Sequence, residues 1–142
     1  MEKESWLVEL PKKELIFDRI AKLTSWENTA YTPEDEMELC RCYDELGQLY
    51  TAYNNSLLSH KMLLEEETAQ RTLELKAEKE GTKNKYTEAQ IDAIIFQELQ
   101  GYRHLILADR FSLDAIVEKK NALEKYITCV RDFMKASTWS SV

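Results

Sequence analysis

A chain of 142 residues with 3 glycines and 2 prolines has the length of one domain and little material for turns, so a many-stranded fold is improbable. Its 44% hydrophobic and 32% charged residues suit amphipathic helices, and are neither those of a disordered chain nor those of a membrane-spanning one. The net charge of −7 weighs against a generic nucleic-acid binder, which is normally basic.

No apolar run approaches the roughly 20 residues that span a bilayer. The acidic start, MEKESWLVELPKK, predicts no signal peptide. Three cysteines, an odd number in a long helical chain, predict a reducing, cytoplasmic setting and no disulfide framework. The charge is unevenly spread. Residues 1–58 hold 6 basic and 12 acidic side chains, whereas residues 59–142 hold 13 and 14. An anion-binding surface must therefore be local and lie in the second part of the chain.

Residues 1–31 predict an N-terminal segment with one short helix, about Lys12 to Leu23. Pro11 precedes it, and Leu15, Ile16, Ile20 and Leu23 form one apolar face. Such a helix packs across a longer element; Trp6 and Trp26 flank it as packing residues. Thr32-Pro33-Glu34-Asp35-Glu36 then opens a long helix. Thr caps it, Pro fits its first position, and three acids complement the positive end of the dipole. The pattern runs over 33–80, roughly 72 Å at 1.5 Å per residue. Leu39, Leu46, Tyr50, Tyr53, Leu57 and Leu64 make its apolar stripe. Gly47 marks either a close helix approach or a local bend.

Gly81, Thr82 and Asn84 are the densest cluster of helix breakers, which places a turn over 81–86. Gly81 suits the left-handed position that ends a helix. Thr87 and Gln90 fit a capping box, opening a second long helix over 87–136 that Gly101 can divide. Tyr102, Ile106, Asp109, Leu113, Ile116, Lys120, Leu123, Ile127, Val130 and Met134 follow alternating steps of four and three, a coiled-coil seam. The tail over 137–142 is polar apart from Trp139 and is expected to fray.

Two such helices joined by a short turn lie antiparallel. The expected fold class is therefore all-α: a long, coiled-coil-like antiparallel helical hairpin with a short N-terminal helix, in a single domain. Folding the chain about residue 84 puts Leu57 level with Phe111, and Leu46 level with Leu123. The seam is expected to comprise Leu46, Tyr53, Leu57, Ile106, Leu113, Ile116, Leu123, Ile127 and Val130. A bare pair of helices leaves much of a seam exposed, so a homo-oligomer is expected.

The chain holds no Gly-rich phosphate loop, no HExxH and no CxxC. Cys40, Cys42 and Cys129 fall near one level of the hairpin and are expected to be buried free thiols. His60, His104 and Asp109 share another level. That suggests a two-histidine metal site, but histidines in helical seams are usually structural, and no metal or cofactor is expected. No His is spaced to activate a Ser or Thr, so no catalytic residue is assigned and no enzyme is expected. The one functional candidate is the basic cluster at the turn: Arg71, Lys76, Lys79, Lys83 and Lys85, with Tyr86 able to stack on a base.

At this turn the chain resembles the UvsY-type recombination mediators of phages. The residues that carry the resemblance are Leu73-Glu74-Leu75-Lys76-Ala77-Glu78, then Gly81 and Lys83, then Thr87-Glu88-Ala89. The order of elements also fits from about residue 45 to 136, ending in a basic Arg131–Lys135 segment; the first ~40 residues have no counterpart. The resemblance implies a homo-oligomeric ring of helical hairpins, phage-encoded in a bacterial host. Such a ring binds single-stranded DNA and helps a recombinase or annealing protein displace single-strand-binding protein. In that family a Lys and an Arg two residues apart are implicated in DNA contact. Lys76 matches the Lys, and Glu78 stands where the Arg would be. The alternative is an acidic helical protein-interaction module, an assembly factor or an inhibitor that imitates DNA, for which the acids of 34–45 must form a continuous patch.

Overall fold

The computed structural model describes residues 10–25, 32–81 and 86–140, and the side chains of 79–81 and 136–140 lie outside that description. Among the described residues are four α-helices and no strand: α1 Lys13–Leu23, α2 Pro33–Gly81, α3 Glu88–Glu98 and α4 Gln100–Ser140. The fold is all-α, as expected. Trp6, Trp26, Thr82, Lys83, Asn84 and Lys85 fall outside the described residues.

The helix starts follow their sequence signals. Asp35 N–H donates to Thr32 Oγ1 at 3.2 Å, and Thr32 N–H donates back to Asp35 Oδ2 at 3.1 Å. Thr87 and Gln90 form the capping box in full, with distances of 3.2 and 2.9 Å. The helix ends depart from expectation. Gly81 is helical, with no positive φ, so no left-handed glycine closes α2. The second long helix is interrupted at Leu99 (φ −101°, ψ 17°), not at Gly101, which lies in the first turn of α4. Leu99 is buried with Ile91 and Ile95 at this break. The last helix continues to Ser140, past the expected end at Ala136.

The chain divides into two compact units, one of residues up to 53 and from 112, the other of residues 54–111. Both α2 and α4 contribute to each. In the first unit, Leu39, Cys42, Leu46 and Leu49 of α2 pack with Ile116, Leu123 and Ile127 of α4 and Ile20 of α1. Ile16, Phe17 and Leu23 of α1 lie against the same cluster. The stripe on α2 passes through Leu49, 2% exposed, while Tyr50 is exposed. Ion pairs cross the outside: Arg19 of α1 to Glu38 and Glu45, and Arg131 to Glu36 at 2.5 Å.

In the second unit, Leu75 of α2 packs with Ile91, Ile95 and Leu99. Leu57 and Ile106 are also buried. One register holds within each unit. Glu36 meets Arg131 and Lys120 lies beside Gly47 in the first; His60 meets Asp109 and Arg71 meets Glu98 in the second. The partners of each pair stand equally far from residue 84 to within one position. That is the antiparallel pairing read from the turn.

Of the expected seam, Leu46, Leu57, Ile106, Leu113, Ile116, Leu123 and Ile127 are buried, and Tyr53 and Val130 are half-buried. Gly47 marks no close backbone approach. A Cβ there would meet only the flexible end of Lys120, at 3.7 Å. That ammonium sits over the Tyr43 ring at 4.8 Å, which explains a lysine at a seam position. The thiols are not all buried: Cys42 is, Cys40 is half-buried and Cys129 is exposed. Burial pushes the Cys42 thiol up from its ordinary value. No described helix is long and apolar enough to cross a membrane.

Candidate nucleic-acid interface

Both candidate surfaces lie in the second unit. The first is the turn end of α2. Lys76 is exposed there beside buried Leu75, and Tyr86 is 37% exposed. Arg71, expected to join this cluster, is instead engaged. Its Nε and Nη2 donate to the two Glu98 carboxylate oxygens at 2.8 and 3.1 Å, and Nη1 donates to Glu74 at 3.1 Å. This forked pairing holds the Glu98 carboxyl below its ordinary range and raises the Arg71 guanidinium. Arg71 therefore joins α2 to α3 and is not presented to a ligand. The side chain of Lys79, together with Lys83 and Lys85, lies outside the described residues.

The second surface was not picked out from the sequence. A groove of about 490 Å³ runs along one flank of the α2–α4 pair, lined by Lys61 and Leu64 of α2, Phe96 of α3, and Arg103, Leu107 and Arg110 of α4. Arg103 Nη1 donates to the Phe96 carbonyl at 3.0 Å, and its guanidinium stacks 4.3 Å from the Phe96 ring centroid. Arg103 is thus held in place by neutral partners. Among the described residues, no carboxylate lies in ion-pair reach of Lys61, Arg103 or Arg110. The other four arginines, Arg19, Arg41, Arg71 and Arg131, each have a glutamate.

A buried polar node stands next to this groove in the sequence. Ser56 Oγ donates to Asp109 Oδ2 at 2.9 Å, and His60 Nδ1 lies 2.7 Å from the same oxygen. The serine and the imidazole both address one carboxylate oxygen, so this is not a relay in which histidine activates serine. His104 is exposed and lines the groove, apart from this node. Among the described residues, no group of three His, Cys, Asp or Glu side chains could hold a metal ion. The node does explain a polar Asp109 in the seam, since each polar partner on α2 is answered at one register only.

No family model, curated protein or solved structure matches the chain. Its own geometry is therefore what bears on function. Three of the six acids of 34–45 are committed to ion pairs within the first unit, Glu36 to Arg131, Glu38 to Arg19 and Arg41, and Glu45 to Arg19. In the second unit Lys61, Arg103 and Arg110 converge on one groove without a carboxylate. Sequence places the groove cations only in part. Folding about residue 84 puts Lys61 level with residue 107, between Arg103 and Arg110, but the acid in that stretch, Asp109, is seen to be taken by Ser56 and His60 only in the structure.

Proposed function

We propose that this protein is a non-enzymatic accessory factor of phage-type recombination. It binds single-stranded DNA as a homo-oligomer and helps load a recombinase or annealing protein onto strands covered by single-strand-binding protein. The observation that carries this reading is the cationic groove of the second unit. Arg19, Arg41 and Arg131 of the first unit are each held by a glutamate, whereas Lys61, Arg103 and Arg110 line the groove with no carboxylate in ion-pair reach among the described residues. An exposed aromatic beside them supplies the surface that sequence-tolerant strand binding uses. The recombination setting rests on the resemblance over Leu73–Ala89. An acidic module that imitates DNA needs a continuous acidic patch over 34–45, and the ion pairs there work against it. A ring multiplies weak contacts, so modest affinity per protomer suffices.

Fluorescence anisotropy of a labelled single-stranded oligonucleotide, titrated with the full chain at several salt concentrations, tests the reading. Binding that weakens as salt rises is expected, through counterion release. Anisotropy that stays flat at low salt overturns it.

A further inference from the structure

Resting on the single-stranded-DNA reading, we propose that the strand lies in the groove of the second unit. Its phosphates meet Lys61, Arg103 and Arg110, and a base packs on Phe96. The turn is then at most a secondary contact.

The groove cations are arranged as a track. Arg103 and Arg110 are seven residues apart on α4, nearly two full turns, so they share a face about 10 Å apart along the helix. Lys61 faces them from α2 across the groove. Flanking positions of paired helices commonly carry opposite charges that bridge the seam. Here all three are positive, an arrangement that repels itself until an anion enters.

The chemistry between the cations narrows the class of anion. Leu64 and Leu107 line the groove, and Leu107 and Phe96 are exposed at 50% and 57%. A small hydrated ion gains nothing from such apolar walls. A strand that alternates phosphates with planar bases satisfies both parts of the surface. The Arg103–Phe96 stack is already a platform of the type on which bases pile, with aromatic and guanidinium planes together. The turn loses one of its expected cations, because Arg71 is occupied by Glu98 and Glu74.

The experiment compares the full chain with three variants, Lys61→Gln/Arg110→Gln, Phe96→Ala and Lys76→Glu/Lys83→Glu, on oligo-dT and on an abasic strand of equal length. Circular dichroism and size-exclusion chromatography accompany each. The first variant is expected to lower the slope of log K against log salt by about 1.4, the value for two lost single-strand phosphate contacts. Phe96→Ala is expected to weaken oligo-dT about 5-fold or more while leaving the abasic strand unchanged. The turn variant is expected to keep most of its affinity. If the groove variants bind as the parent chain does while the turn variant fails, the groove assignment is overturned and the parent reading survives. If the groove variants change only the oligomeric state, a second copy of the chain occupies the groove and the assignment is likewise wrong. A parent chain that binds neither strand defeats both readings.

Discussion

The two units share α2 and α4 but finish their flanks differently. In the first, α1 lays Ile16, Phe17 and Ile20 against the pair, and arginines answer glutamates around the edge. In the second, a smaller apolar cluster closes the turn end, a buried polar node interrupts the seam, and one flank shows cations with no carboxylate. Two helices cannot cover their own apolar borders. The first unit covers one with a third helix from its own chain, whereas the cationic flank of the second remains a groove. The difference separates a part whose arginines are held by glutamates of the same unit from a part with three cations on one groove and no carboxylate in reach among the described residues.

The strongest challenge to this contrast is a cavity in each core. Leu46 is fully buried in the first unit, and Leu75 is 2% exposed in the second. Leu46→Ala is expected to cost about 3–5 kcal/mol, because a close-packed three-helix cluster collapses poorly around the missing atoms. Leu75→Ala, in a cluster of only four buried residues, is expected nearer about 2 kcal/mol. Urea denaturation of both variants measures this. If Leu75→Ala costs as much as Leu46→Ala, the second unit is as tightly built as the first and the contrast in packing is lost.

A smaller effect probes the polar node. Asp109→Ala leaves Ser56 and His60 without their acceptor in a buried setting, at an expected cost of about 1–3 kcal/mol. Replacing the whole node, Ser56→Ala with His60→Leu and Asp109→Leu, is expected to recover most of that loss. Hydrogen exchange of the amides near 56–60 then separates stability from register. The stable apolar variant should exchange faster there, because apolar side chains accept neighbouring registers that the node forbids. Unchanged protection would mean that the apolar seam alone fixes the alignment.

The sequence made the helices legible because their signals are local. Thr32 and Thr87 cap where capping chemistry places them, and the four-three spacing from Ile106 to Ile127 lies in the buried seam. Even the antiparallel register follows from one number, the position of the turn. What escaped depends on contacts between distant residues. Arg71 looked like part of a basic tip until Glu98, far along the chain, turned out to hold it. Lys61 and Arg110 look like ordinary solvated charges in sequence, each within four residues of an acid; only packing shows that, among the described residues, no acid reaches either of them or Arg103. The division of the second long helix was legible to within two residues: Gly101 pointed to it, and the break falls at Leu99.

The smallest expected effect concerns acid, and it decides which cations are available. Glu38 is held below its ordinary range first by the hydrogen bond from Arg19, and Glu98 first by that from Arg71. A carboxyl depressed on folding adds stability that is fully present above its unfolded value. That stability fades as pH falls through the lower folded value. Denaturation midpoints should therefore drop as pH falls below about 5, one pair acting in each unit. The pairs are solvent-exposed, so the drop is slight and shrinks with salt. Arg71→Gln removes the share of the second unit and should flatten the curve, with Glu98 returning to the ordinary carboxylate range. A carboxyl-resolved NMR titration of the parent chain gives the direct reading. Depression of Glu98 keeps Arg71 as a strut between α2 and α3. If Glu98 titrates like a free glutamate, Arg71 is released to the turn, and the turn rather than the groove becomes the stronger place for a phosphate.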